Sequence, residues 1–137
     1  MSEQQPVLCL GEALIDVVVR GDSREEHVGG SLLNVAAGIA SLGHPASICA
    51  WWGRDERGTR LAEWATSSGV TIVPGTNSAK RTAVAIAQLD AEGRATYEFD
   101  LEWNVPAIDD LSVYGHLHTG SIAATLEPGG TAVVENI

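Results

Sequence analysis

Two spacings of apolar residues alternate along this chain. Residues 7–11 form a short run, mostly apolar, the pattern of a strand covered on both faces. Residues 14–20 (Leu-Ile-Asp-Val-Val-Val-Arg) are rich in β-branched side chains and read as a second strand. Gly21-Asp22-Ser23 is turn material. Residues 24–28 then read as a polar lead into Gly29-Gly30. From 31 to 42 the pattern is apolar almost all round, which predicts a largely buried helix, with Gly43 as its C′ residue and Pro45 just beyond.

The strand pattern returns at 46–52. A turn over 53–58 leads into a helix over 59–67 closed by Gly69, with Asp55 as its N-cap. A short strand follows at 70–73. Strands at 82–89 and 94–101 flank the polar loop Asp90-Ala91-Glu92-Gly93, a hairpin pattern. Residues 116–120 read as one more core strand, and 131–137 as the opening of a further helix or strand. Strands followed repeatedly by helices predict an α/β sheet, with the 14–20 strand and the hairpin as an extra sheet laid on it.

Composition narrows the function classes. The 137 residues suffice for one domain, and 45% hydrophobic content allows a sizeable core. Eight basic residues stand against 18 acidic ones, a net charge of −10, so there is no basic footprint for nucleic acid. No apolar run approaches the roughly 20 residues of a membrane span, and the polar start Met-Ser-Glu-Gln-Gln-Pro lacks the apolar core of a signal peptide. A cytoplasmic location is expected, without nucleic-acid or membrane partners. Cys9 and Cys49 have no metal-type spacing and read as buried thiols. His116 and His118 share a strand face, but no third ligand lies near them in sequence, so no metal site is expected. Trp51, Trp52, Trp64 and Trp103 read as packing residues. Tyr97 and Phe99 share a strand face, where packing, ligand contact and a dimer contact are all open.

The chemistry concentrates at Gly29-Gly30-Ser31-Leu32-Leu33-Asn34. Two glycines at a helix start let the backbone approach a ligand closely, and the first turn offers unpaired N–H groups. Asn34 adds donors and an acceptor on one side chain. Such a set suits a polyhydroxyl ligand, whose hydroxyls both give and take hydrogen bonds.

The motifs occur in order: Gly11-Glu12-Ala13-Leu14-Ile15-Asp16, then Gly29-Gly30 with Asn34 and Ala36, then Leu42-Gly43, then Gly53-x-Asp55-x-x-Gly58, then the hairpin. In that order the chain resembles the ribokinase-like (PfkB) carbohydrate kinases over nearly its whole length, matching the N-terminal part of a family whose members run to about twice this length. The stretch at 11–16 is most similar to the fructokinase branch. One departure is local: the family's small residues between the glycines and the asparagine are here Leu32 and Leu33.

The resemblance implies an α/β, ribokinase-like sandwich with a small β-sheet lid, residues 1–137 being its N-terminal portion and the lid strands lying near 12–28 and 82–101. It implies an ATP-dependent sugar kinase, fructose favoured, with Asp16, Gly29, Gly30 and Asn34 binding the sugar. ATP and Mg2+ are expected for the full-length family. Neither site is identifiable in this chain, which has no Gly-Ala-Gly-Asp motif and no Walker-type loop. No catalytic residue and no metal ligand is therefore assigned, and the isolated chain is expected to be inactive. The alternatives are a nucleoside or ketodeoxygluconate kinase, or a non-catalytic sugar-binding or dimerisation fragment, with a homodimer formed through the lid strands.

Overall fold

The computed structural model describes residues 4–135. Residues 1–3 and 136–137, which include part of the polar start and the end of the element expected from 131, lie outside the described residues. The central strand β1 (Val7–Leu10) carries Leu8, Cys9 and Leu10, all fully buried. It pairs in parallel with β4 (Ala46–Cys49) and β8 (His116–Thr119), and β4 pairs in parallel with β5 (Thr71–Ile72), so the sheet runs β5-β4-β1-β8.

Strand alternation divides this layer between two cores. Cys9 and Ile48 face a cluster built with Leu32, Leu33 and Ala36 of α1 (Ser31–Ser41) and Leu61 and Ala65 of α2 (Glu56–Ser67). Leu8, Leu10 and Cys49 face a second cluster around Trp103, Ala123 and Val133, the last two on α3 (Ser121–Thr125) and α4 (Gly129–Glu135). Burial pushes the free Cys9 thiol up to about 11 and the free Cys49 thiol up to about 12, which keeps both protonated and unreactive.

The chain leaves the end of β1 through Gly11-Glu12-Ala13 and enters a second sheet, ordered β3-β2-β6-β7. Here β2 (Leu14–Arg20) pairs antiparallel with β3 (Ser23–Gly29) and parallel with β6 (Val84–Leu89), and β6 pairs antiparallel with β7 (Ala95–Asp100). Ile15, Val17, Val84, Val28 and Ile86 turn to the first core. The opposite face carries Asp16, His27, Ala85, Ala87, Tyr97 and Phe99, which line an open cavity of about 380 Å³.

Several expectations need correction. Residues 24–28, a lead-in by residue pattern, belong to strand β3, within the 12–28 stretch where the resemblance puts lid strands. Ser-Arg-Glu-Glu-His-Val-Gly has no apolar alternation because β3 is an edge strand, where charged side chains are the usual content. Helix α2 starts at Glu56 rather than 59, directly after its Asp55 cap. The strands expected at 46–52 and 70–73 keep their ladders only over Ala46–Cys49 and Thr71–Ile72. Strand β8 lies at the edge of the described sheet, with His116 exposed, and is not a core strand. Past it the chain is helical, with the unforeseen α3 preceding α4.

Candidate functional site

Three of the four sequence-derived site residues meet where the two sheets join. Gly29 is the last residue of β3 and lies opposite Leu14, the first of β2. A Cβ at Gly29 would overlap Asp16 Oδ2, so only glycine lets the carboxylate lie this close to the backbone. Gly30 follows with φ 106° and ψ 123°, and a Cβ there would stand 2.6 Å from the Glu12 carbonyl oxygen. It is the N-cap of α1 and provides no side-chain cap, so the first N–H groups of α1 are left to other partners.

Asn34 stands one turn into α1. Its N–H donates to the Gly30 carbonyl at 3.1 Å, while its side chain is exposed and makes no hydrogen bond with another described residue. Leu32 and Leu33 point the other way, fully into the core. Their bulk is taken up by packing rather than by the exposed side of the helix.

Asp16 pairs in register with His27 on one side and Ala85 on the other. Desolvation raises its carboxyl above the ordinary value, and the charge of His27 pulls the other way. Phe99 lies opposite Ala85, and Tyr97 opposite Ala87. The two rings stack with centroids 6.1 Å apart and planes 9° from parallel, and both remain more than 60% exposed. An open apolar surface with a carboxylate and an imidazole at its margin suits a small polar ligand that also has an apolar face.

Two further groups take their long-range partners only from the fold. Glu12 is 7% exposed, and its Oε1 accepts from Ser31 Oγ, on the first residue of α1, at 2.8 Å. The motif at 53–58 is a structural device. Asp55 accepts from the Gly58 N–H at 2.7 Å, capping α2, and from the Thr82 N–H and hydroxyl at 2.9 and 2.6 Å, which secures the approach to β6. Burial works to raise the Asp55 carboxyl, but these hydrogen bonds outweigh it and hold the group below the usual carboxylate range. Beside it, Glu26 on β3 receives Arg57 at 3.1 Å through both oxygens and Arg60 at 3.0 Å, tying the second sheet to α2. Among the described residues no three His, Cys, Asp or Glu side chains gather as metal ligands, and no helix is long and apolar enough to cross a membrane.

Comparison with known proteins gives this geometry a context. The profile of the pfkB family carbohydrate kinases matches residues 4–114. The chain belongs to that family. Among pfkB relatives, a fructokinase of Rhizobium leguminosarum bv. trifolii is 32% identical over 136 residues, taking in 90% of this chain and 41% of that protein. An Escherichia coli fructokinase is 30% identical, over 92% of this chain and 44% of its own length. The chain thus spans about two fifths of the curated relatives it matches. The crystal structure of apo fructokinase from Vibrio cholerae O395 superposes with a TM-score of 0.76 at 24% identity, over 97% of this chain and 48% of that one. The pfkB chain therefore has the ribokinase-like α/β fold. A fructokinase from Xylella fastidiosa, solved with bound ATP, superposes over 72% of this chain and 34% of its own with a TM-score of 0.56 at 26% identity.

Proposed function

We propose that this chain carries the sugar-binding half of an ATP-dependent sugar kinase, with fructose the favoured substrate. The observation that carries the reading is the Asp16 carboxylate lying on Gly29 at the entrance of α1. Asp16 accepts sugar hydroxyls in charge-assisted bonds, about twice as strong as neutral ones. Gly29 and Gly30 bring backbone N–H groups to the same ligand, and Asn34 bonds a further hydroxyl. The strands β2, β3, β6 and β7 act as a lid whose closure keeps water from the phosphoryl group. ATP supplies that group and Mg2+ neutralises its charge. No residue of this chain is assigned to hold either, and no catalytic base is assigned. A cytoplasmic location belongs to the same reading.

Calorimetric titration with fructose, ribose, adenosine and ketodeoxygluconate tests it. Fructose binding that weakens tenfold or more in Asp16→Asn is the expected result. Equal affinity in that variant overturns the site, and preference for another ligand of the panel overturns fructose. In a coupled ADP-release assay the 137-residue chain alone is expected to show no turnover.

The exposed, stacked pair Tyr97 and Phe99 on the edge strand β7 favours a second reading, a homodimer through the lid strands. Sedimentation velocity should then show a dimer that Phe99→Ser dissociates. A monomer at every concentration refutes it.

A further inference from the structure

His27 takes no part in the sugar contacts assigned to Asp16, Gly29, Gly30 and Asn34. It stands on β3 directly opposite Asp16 on β2, so the two side chains rise from one face of the sheet, about 5 Å apart at Cβ. Both line the open cavity of about 380 Å³. The same cross-strand row continues through Ala85 to Phe99, and the small Ala85 leaves a trough between the polar pair and the aromatic wall. The imidazole is 60% exposed, so a ligand in that trough can reach it. Its Nε2 lies 3.3 Å from Glu25 Oε2, two residues earlier on the same strand face. With Nε2–H donating to that carboxylate, Nδ1 is the acceptor nitrogen. Nδ1 makes no hydrogen bond with a described residue. Arg24 and Glu26 alternate to the opposite face, where Arg57 and Arg60 hold Glu26. Among the described residues the trough is lined by no Lys or Arg. It offers acceptors, which suits a neutral ligand that donates.

We propose that His27 is a specificity-determining residue of the sugar site, its Nδ1 accepting the hydroxyl next to the one that Asp16 holds. The assignment rests on the sugar-kinase reading. Side by side, the carboxylate and the imidazole recognise a vicinal diol of a neutral monosaccharide, each taking one hydroxyl proton. Ala85 and the Phe99 wall are left to the apolar C–H groups of the ring. Glu25 is a positioning residue, which fixes the ring tautomer through Nε2. A sugar lacking the second hydroxyl loses the His27 bond. An acidic sugar with a carboxylate in that place meets Asp16 and Glu25 with no Lys or Arg lining the trough to balance it, so the pair selects by charge as well as by hydroxyl.

Calorimetric titration of fructose and its monodeoxy analogues into the chain, with His27→Phe, Glu25→Ala and Asp16→Asn beside it, decides the matter. His27→Phe keeps a planar ring on an exposed edge strand and removes the nitrogens, so the fold should hold. It should weaken fructose about fivefold, the worth of one neutral hydrogen bond. The loss should vanish for one monodeoxy analogue, whose missing hydroxyl is adjacent to the one that Asp16→Asn reports. Glu25→Ala leaves the ring in place but untethered, and should give a smaller loss with the same analogue dependence. Nitrogen-15 NMR of the unmodified chain reads the contact directly: fructose should shift the His27 Nδ1 resonance, and the analogue lacking that hydroxyl should not. Unchanged fructose affinity in His27→Phe, an equal loss for every analogue, or an unmoved Nδ1 resonance overturns the His27 assignment and leaves the Asp16 site standing. Absence of any sugar binding by the unmodified chain overturns both.

Discussion

Asp55→Ala should be among the most damaging surface substitutions in this chain, because one carboxylate serves three donors. Its Oδ1 takes the Gly58 N–H at 2.7 Å and the Thr82 hydroxyl at 2.6 Å, and its Oδ2 takes the Thr82 N–H at 2.9 Å. Loss of an N-cap costs about 1 kcal/mol. Thr82 is only 3% exposed, so its stranded N–H adds about 1–3 kcal/mol. The Thr82 hydroxyl still accepts from the Gly53 N–H at 3.1 Å and can turn its proton elsewhere, so it adds little. The sum is about 2–4 kcal/mol. Asp55→Asn keeps one acceptor oxygen but turns an amide donor toward either Thr82 or Gly58, and should cost about half as much. Urea unfolding followed by tryptophan fluorescence reads this directly, since Trp52 lies buried one residue from Gly53. With a slope of about 1–3 kcal/mol/M, the Asp55→Ala midpoint should fall by roughly 1–2 M. Glu56→Ala, on the neighbouring exposed residue, serves as the control and should stay within about 0.5 kcal/mol. An Asp55→Ala shift no larger than that control refutes the three-donor account.

Gly30→Ala forces a side chain into φ 106° and against the Glu12 carbonyl, so it should cost at least about 1–3 kcal/mol in thermal unfolding and abolish sugar binding. Asp16→Asn should weaken sugar binding yet stabilise the fold at neutral pH. Desolvation raises the folded-state carboxyl above its unfolded value, so ionisation works against folding above that raised value. The melting difference should therefore shrink as pH falls through the window and vanish below the ordinary carboxylate value; a difference that persists there refutes the cause. Trp103→Ala should cost about 3–5 kcal/mol in urea, because the ring is 1% exposed and its Nε1–H donates to the Ala123 carbonyl at 2.8 Å. Trp103→Phe should cost less and leave that carbonyl unpaired.

The elements legible in the chain are those whose pattern reports burial. Residues 7–10 and 46–49 are apolar because the parallel sheet is covered on both faces, whereas the all-round apolar pattern of 31–42 overstated burial, since α1 buries Leu32, Leu33 and Ala36 on one face and leaves Leu42 exposed. Asp55 as a cap is equally local, a matter of a side chain and an N–H three residues on. The strand β3 is not legible from the pattern of residues, and only the family resemblance points to it, because Ser23–Gly29 is held by the β2 backbone and by Arg57 and Arg60 reaching Glu26 from about 30 residues away. The candidate site divides along the same line. Gly29, Gly30, Asn34 and Asp16 stand out by type and order in the sequence, since a close backbone approach needs glycine and a polyol needs polar side chains. That the Asp16 carboxylate lies on Gly29, that Tyr97 and Phe99 share its face, and that Glu12 is buried with one free oxygen were decided only when two sheets joined at Gly11-Glu12-Ala13. Local chemistry is carried by residue type and spacing, whereas burial and unmet hydrogen bonds are properties of the packed whole.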